Sequence, residues 1–338
     1  LRHRFVRKER QVWMGWFSPD LSMGMSALGL SIYVFFSALP SPDSAHPLLT
    51  AAVVQPYIPP ELKWDSEREL ENLEILERQT RFVATLESDL MLWPEAATPW
   101  PIVGTPQMRM RVERLVNEIA KPILMGNLAQ DSATGEWSNG TFLVEPETGL
   151  SEQSYAKREL VPFGEYIPFG NILPNFRLSG LATNRLIGFS KGKIKNLFIT
   201  EKLGSFMMLI CYEAIFSGGS RNLENKASWI VHLTNDAWFG GLSGPYQHLT
   251  LARMRAIEQG LPMVRSANTG VSAIIDPYGV IISMIGMGRE GYLDGSLPAR
   301  LSPTLYSQLG AKFFTLIIIG MLMLTILFLI INTAQEKR

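Results

Sequence analysis

The segment FMMLICYE, residues 206–213, carries an apolar run that meets a polar turn at Cys211. A short continuous apolar run bounded by a turn is typical of a buried strand. Cys211 is the only cysteine among 338 residues, so the sequence excludes an internal disulfide and a thiolate metal cluster. Because free cysteine is often buried, this residue alone favours core packing over catalysis. A nucleophilic thiol at a strand end is the alternative, and it depends on other residues.

Two charged residues lie at comparable strand-like stretches, Glu95 after one and Lys157 beside one. Glu95 comes after the apolar run LMLW and Pro94, which cannot continue a strand ladder, so its carboxylate is expected at a strand end. Lys157 stands beside another such stretch, closed by a proline and a glycine. A thiol with a pKa near ~8.5 is only a few per cent thiolate at neutral pH and needs a base, for which Glu95 is the candidate. Lys157 and the Tyr212 backbone amide are candidate donors to the oxyanion that forms when a thiolate adds to a carbonyl.

The order of these residues resembles the Glu-Lys-Cys triad of the nitrilase superfamily. The matching motifs are WPE at 93–95, Lys157 followed by LVPFGEYIP at 160–168, and ICYE at 210–213. Within the superfamily they are similar to the apolipoprotein N-acyltransferase family, as are LTNDAWFG at 233–240, QH at 247–248 and RSANTG at 265–270. The likeness extends from about Ala51 to the C-terminus. It implies a four-layer αββα sandwich, which the pattern of elements alone does not give.

The resemblance also implies a reaction in two steps. Cys211 would take an acyl chain from a membrane phospholipid as a thioester, and would then transfer it to the α-amine of a lipoprotein's N-terminal diacylglyceryl-cysteine. Glu95 would deprotonate Cys211 and later accept the amine proton, while Lys157 would hold the oxyanion. The motifs assign supporting roles to Glu165, Tyr212 and Glu213, and the expected substrate-binding residues are Trp64, Trp238 and Phe239.

The charge balance and the motifs argue against several other classes of ligand and partner. The 31 basic and 31 acidic residues balance, so the chain lacks the basic footprint of a nucleic-acid-binding protein. The four histidines, at positions 3, 46, 232 and 248, lack metal-ligand spacing, and His248 is interpreted as a packing or capping residue. The segment GMGREG at 286–291 matches GxGxxG, but the residues after it do not begin a helix, so we do not interpret it as a dinucleotide-binding loop. We expect no nucleic acid, metal or cofactor.

Two uncharged runs of 19 residues, 21–39 and 313–331, are candidate membrane spans. A helix of that length reaches ~28 Å, close to the thickness of a bilayer's hydrocarbon core. The first run contains glycines and serines, and a buried core helix is its alternative. Basic residues lie at the outer ends of both runs, which predicts cytoplasmic termini and a periplasmic middle part in a bacterial inner membrane.

The predicted organisation follows from these runs. It comprises a basic cytoplasmic segment at 1–20, a transmembrane helix at 21–39, a catalytic domain at 50–300, a second transmembrane helix at 313–331 and a cytoplasmic tail at 332–338. The family resembled carries several more membrane helices ahead of its catalytic domain. Because the chain starts at Leu1 without an initiator methionine, we interpret it as truncated at its N-terminus.

Between the runs, predicted strands alternate with predicted helices, which indicates an α/β fold. Strands are expected at 51–54, 89–93, 122–126, 141–145, 197–200, 204–210 and 228–233, and near Met263, Ser272 and Ile281; helices are expected at 66–86, 107–120, 213–223 and 245–259. The loops 163–190 and 235–246 are rich in apolar residues. They are interpreted as lids that contact acyl chains or the bilayer, with ordinary core packing as the alternative.

Two alternative functions remain open at this stage. A membrane-tethered nitrilase-type amidase would give its thioester to water, and the two apolar runs and apolar loops argue against it. An inactive scaffold would bind lipoproteins without chemistry, and the intact Glu95, Lys157 and Cys211 argue against that.

Overall fold

The computed structural model describes residues 49–336, apart from 99, 167, 169–187, 195, 218–225 and 311. The described strands form two six-stranded sheets. The first contains β1 (Thr50–Gln55), β2 (Leu90–Trp93), β3 (Ile123–Gln130), β4 (Trp137–Glu145), β5 (Gly149–Ala156) and β12 (Gly291–Ser296), in the order β12-β1-β2-β3-β4-β5. The second contains β6 (Leu197–Thr200), β7 (Gly204–Ile210), β8 (Trp229–Thr234), β9 (Met263–Ala267), β10 (Ser272–Ile275) and β11 (Ile281–Ile285), in the order β11-β10-β9-β8-β7-β6.

The strands at the centre of each sheet are parallel. In the first sheet β1, β2 and β3 run in one direction, and in the second sheet β7, β8 and β9 do. The outer pairings are antiparallel. Since the carboxyl ends of parallel strands meet at one edge of a sheet, residues that follow β2, β7 and β8 lie at such edges.

The helices are α1 (Pro60–Lys63), α2 (Glu69–Val83), α3 (Pro106–Ile119), α4 (Gly244–Gln259), α5 (Leu305–Leu309) and α6 (Lys312–Glu336). Three buried apolar clusters fill the spaces between the layers. One fills the space between the sheets, the second lies between the first sheet and α2 with α3, and the third between the second sheet and α4. The layers therefore follow the order helix, sheet, sheet, helix.

Strand β7 has a continuously apolar sequence because both of its faces are covered. Phe206, Met208 and Ile210 face the cluster between the sheets, while Met207 and Leu209 belong to the cluster against α4. A strand that is covered on both faces has no polar side, so the alternation expected of a half-exposed strand disappears. The predicted α/β fold with buried strands is confirmed.

One predicted element needs correction, and two strands were not among the predicted ranges. The segment 213–223 was expected to form a helix, but the chain makes a short 3₁₀ helix, Cys211–Ile215, and returns to extended backbone at Phe216, while 218–223 lie outside the described residues. The buried Glu213 side chain accepts hydrogen bonds there and keeps the turn tight. Strands β5 and β12 were not predicted. Both are edge strands with partly exposed, polar sequences, so the apolar signal is weak in each.

One described helix is long and apolar enough, by length and composition, to cross a membrane. It is the Thr315–Ala334 part of α6, with a mean hydropathy of 2.6, and it overlaps the predicted span 313–331. The predicted segments 1–20 and 21–39 lie outside the described residues.

Candidate active site

The structure brings Glu95, Lys157 and Cys211 to one cavity of about 320 Å³. Glu95 lies just after β2, Lys157 directly after β5 and Cys211 directly after β7. The three residues therefore come from strand ends of both sheets. Much of the cavity wall is apolar, including Leu128 and Phe189.

Cys211 occupies a strained position at the end of β7. Its φ is +47°, in the left-handed region that residues other than glycine rarely adopt, and the residue is 4% exposed. Burial, together with the negative charge of Glu95, raises the pKa of the Cys211 thiol to about 12, against the opposing charge of Lys157. The resting residue is therefore a thiol that needs a base to become a nucleophile.

Two hydrogen-bond donors and one cation surround the carboxylate of Glu95. Asn139 Nδ2 donates to Oε1 at 2.7 Å, and the backbone N–H of Asn235 donates to Oε2 at 2.8 Å. The ammonium of Lys157 lies 3.5 Å from Oε1. These contacts fix the direction of the carboxylate. The sequence analysis did not identify Asn139 or Asn235, although Asn235 falls within the motif LTNDAWFG.

Lys157 lies between two carboxylates. Its Nζ donates to Glu165 Oε1 at 2.8 Å, and it is 1% exposed. Burial would lower the pKa of Lys157, but the negative charges of Glu95 and Glu165 hold that pKa above its usual value. The other oxygen of Glu165 accepts from the Val161 backbone N–H at 2.9 Å. Lys157 is therefore a fixed cation at the cavity wall.

Glu213 does not line the cavity and instead connects the two sheets. Its Oε1 accepts hydrogen bonds from the hydroxyl of Tyr155 and the backbone N–H of Arg158, each at 2.7 Å. Its Oε2 accepts from the backbone N–H of Ile210 at 2.8 Å. One carboxylate thus joins the segment around Lys157 to the residue that precedes the thiol. Burial and the charge of Glu213 raise the pKa of Tyr155, so the tyrosine keeps its proton and donates.

A buried charged network lies behind Cys211. His232 Nε2 lies 3.1 Å from the main-chain carbonyl oxygen of Cys211 and donates to it, since a carbonyl only accepts, and His248 Nε2 lies 3.0 Å from the same oxygen. Arg265 Nη2 donates to both oxygens of Asp236, at 2.8 and 2.6 Å. Asp236 Oδ1 also lies 2.8 Å from His248 Nδ1, and Arg265 Nη1 donates to His232 Nδ1 at 2.7 Å. The network holds the backbone of the strained residue.

The ionisation of this network follows from its charges. Burial would raise the pKa of Asp236, but Arg265 and His248 outweigh it and hold that pKa well below its usual range. Burial and the charge of Arg265 keep the pKa of His232 well below its usual value, so His232 is neutral. The sequence analysis interpreted His248 as a packing or capping residue and did not identify Asp236, His232 or Arg265. Asp236 and Arg265 lie within the quoted motifs and His232 lies next to one of them, which is the signal that could have identified these residues.

The expected substrate-binding residues Trp64, Trp238 and Phe239 line the same cavity, as does Tyr212. Trp64 and Trp238 are 43% and 51% exposed, which leaves large aromatic surface at the cavity wall. Most of the predicted lid 163–190 lies outside the described residues. The second predicted lid is partly regular, because Asp236–Phe239 forms a 3₁₀ helix and α4 begins at Gly244.

Comparisons with known proteins identify the family of this chain. Residues 50–304 match the family model described as carbon-nitrogen hydrolase. The apolipoprotein N-acyltransferase of Bradyrhizobium diazoefficiens is 38% identical over 66% of this chain and 42% of its own length. The enzyme of the same name from Rhodopseudomonas palustris is 32% identical over 92% of this chain and 60% of its own length. The chain thus spans about half the length of these curated relatives.

Solved structures share the fold. An amidase from Nesterenkonia sp. superposes with a TM-score of 0.55 at 17% identity, covering 77% of this chain and 92% of the amidase. Nit3 of Saccharomyces cerevisiae, a member of the nitrilase superfamily, gives a TM-score of 0.54 at 19% identity and covers 74% of this chain and 90% of Nit3. At these identities the likeness shows the fold alone, a nitrilase-like α/β fold with two sheets.

Proposed function

Because this chain belongs to the carbon-nitrogen hydrolase family, we propose that it is the catalytic part of an apolipoprotein N-acyltransferase. The curated relatives that carry this name support the proposal. Its substrates would be a phospholipid acyl donor and the diacylglyceryl-cysteine of a lipoprotein. The observation that carries the chemistry is the meeting of Glu95, Lys157 and Cys211 in one largely apolar cavity.

In the first step, the Cys211 sulfur attacks the ester carbonyl carbon of the phospholipid as Glu95 takes the thiol proton. The carbonyl oxygen becomes an oxyanion, which the fixed ammonium of Lys157 stabilises. When the intermediate collapses, the ester C–O bond breaks and Glu95 returns the proton to the departing lysophospholipid alkoxide. The acyl chain is then held as a thioester on Cys211.

In the second step, the α-amine of the lipoprotein attacks the thioester carbonyl. Glu95 accepts a proton from the amine, the C–S bond breaks, and the sulfur leaves and regains a proton. Lys157 stabilises the second oxyanion at the same place. A thiol suits both steps, because it is a strong nucleophile as thiolate and a good leaving group. Glu165 would orient Lys157, while Glu213 and Tyr212 would support the Cys211 turn.

The apolar wall is suited to an acyl chain. Trp64, Trp238 and Phe239 present aromatic surface to the cavity, and we propose that they contact the acyl chain. We further propose that residues 50–300 form the catalytic domain on the periplasmic face of a bacterial inner membrane. In this arrangement 313–331 anchors the domain, 332–338 is the cytoplasmic tail, and 1–20 and 21–39 form the basic segment and the first span. The apolar helix Thr315–Ala334 supports the second anchor.

Mass spectrometry of the purified chain after incubation with phospholipid tests the proposal. We expect an acyl adduct on Cys211 that hydroxylamine removes, and N-acylated product when a diacylglyceryl peptide is added. The Cys211→Ala variant should show neither. Free fatty acid without acylated peptide would favour the hydrolysing amidase, and the absence of any adduct would favour the inactive scaffold.

A further inference from the structure

A second lysine is buried beside the proposed base. Lys63, the last residue of α1, is 5% exposed, and its Nζ donates to the main-chain carbonyl oxygen of Glu95 at 3.0 Å. The same nitrogen lies 5.7 Å from the ring centroid of Trp64, a residue of the cavity wall. Among the described residues no carboxylate forms an ion pair with it. Burying an ammonium without a paired anion is unfavourable in free energy, so its presence here points to a function.

The balance of charges around the cavity indicates a function for the Lys63 ammonium. The carboxylates of Glu95 and Glu165 face one cation, Lys157, at 3.5 and 2.8 Å. Moving the proton from Cys211 to Glu95 leaves this group with one net negative charge. Lys63 supplies a second positive charge beside this group, because its Nζ is held at the main chain of Glu95 and Glu95 lines the same cavity as Cys211. With Lys63 charged, the group is neutral before and after the proton transfer.

We propose that Lys63 is a positioning residue for the acyl-transfer chemistry: its ammonium holds the Glu95 turn and stabilises the thiolate form of Cys211. This inference rests on the proposed function only in naming the reaction, because thiol reactivity can be measured without lipid. Because Trp64 follows Lys63 directly, the hydrogen bond from Lys63 also ties this part of the cavity wall to Glu95, the proposed base.

The inference has a pH signature. Burial lowers the pKa of Lys63 to about 8, although the charges of Glu95 and Cys211 oppose this. The ammonium is therefore charged at neutral pH, and its charge is lost as the pH rises through about 8. A positive charge favours a nearby thiolate, so removal of Lys63 should lower the fraction of Cys211 that is thiolate at pH values below about 8, where Lys63 is charged. Since burial of the charge is unfavourable, its removal should not lower the stability of the fold at pH 7.

The test is the rate of alkylation of Cys211 by iodoacetamide, measured from pH 5.5 to 10 on the full chain in detergent. In Lys63→Met the rate constant at pH 7 should fall about 10-fold, and its difference from wild type should shrink as the pH rises above about 8 and Lys63 loses its charge. Lys63→Gln, which can still donate to the Glu95 carbonyl, should show the same fall at pH 7, whereas Lys63→Arg should keep the wild-type rate constant at pH 7. Melting temperatures at pH 7 should not fall.

Lys121→Met is the matched control, because Lys121 Nζ also donates to a carbonyl oxygen, that of Ala84 at 2.9 Å, but lies outside the cavity wall. It should leave the rate constant at pH 7 unchanged. A wild-type rate constant at pH 7 in both Lys63→Met and Lys63→Gln, or an equal fall in Lys121→Met, would overturn the inference. If Lys63→Met does not fold, Lys63→Gln decides alone. Failure of lipid acylation in the wild type, together with the expected fall in alkylation rate in the Lys63 variants, would overturn the proposed function and leave this inference standing.

Discussion

Replacing Asp236 by asparagine removes the carboxylate that pairs with the buried cation behind Cys211. Arg265 Nη2 donates to the Asp236 oxygens at 2.8 and 2.6 Å, and both side chains are fully buried. Asparagine keeps the shape but has no charge, and its NH₂ group would face the donors of Arg265. Breaking one side of a buried ion pair costs about 3–5 kcal/mol, since the remaining charge has no partner. We therefore expect Asp236→Asn to lower the free energy of unfolding by about 3–5 kcal/mol.

Urea unfolding at pH 7, followed by tryptophan fluorescence in detergent, measures this loss. The matched control is Asp276→Asn, because Asp276 Oδ1 accepts from the backbone N–H groups of Tyr278 and Val280 in the turn between β10 and β11, at 2.9 and 2.8 Å. That carboxylate has no buried cation among these contacts, and the control should lose only about 1 kcal/mol. A loss in Asp236→Asn no larger than the control would refute the importance assigned to the ion pair.

The pH dependence gives an independent check of the same carboxylate. The folded-state pKa of Asp236 lies below its unfolded value, so its contribution is fully present above the unfolded pKa and is lost as the pH falls toward the folded pKa. The difference in unfolding free energy between wild type and Asp236→Asn should therefore stay constant from pH 5 to 7. It should shrink below about pH 4. A difference that grew with acid would contradict the assigned direction of the shift.

Three further predictions concern the reaction and the topology. Glu95→Gln removes the base and should slow acyl transfer by about 10²–10⁴-fold, measured as acylated peptide formed per minute. Lys157→Arg keeps the charge but changes its geometry, and it should slow the same assay by about 10²-fold or more; near-normal turnover in either variant would mean that the role is misassigned. In a Cys211→Ala background, a membrane-impermeant thiol reagent should label Glu201→Cys but not Gln335→Cys in cells with a permeable outer membrane. The reverse labelling pattern would invert the topology.

Much of the fold and the three proposed catalytic residues could be predicted because their signals are local. The central parallel strands are buried on both faces, so β2 and β7 are short apolar runs that end abruptly. Glu95 and Cys211 stand directly beyond those ends, where a polar side chain reaches the sheet edge. The edge strands β5 and β12 carry a weaker signal because they are partly exposed, and they were missed.

The motifs contain several members of the network behind Cys211, but no local signal shows that these residues meet. Asp236, His248 and Arg265 come from a 3₁₀ helix, from α4 and from β9, and nothing in their spacing shows that they meet. Lys63 appears in the sequence as one charge in a polar stretch, and only its packing shows that it is buried beside Glu95. Charge pairs between distant elements depend on tertiary packing, which hydrophobic periodicity does not encode.

Backbone strain at the site adds a last physical requirement. Gly126 of β3 passes so close to the Glu95 turn that a Cβ at this position would lie 2.6 Å from Glu95 Cα. The next residue in that turn, Ala96, has a φ of +46°, and Cys211 has a φ of +47°. Such conformations cost about 1–3 kcal/mol each and persist only where the surroundings determine them. The groups that hydrogen-bond to Glu95 and to the Cys211 carbonyl fix these conformations, so residues outside the three proposed catalytic residues hold the strained segments in place.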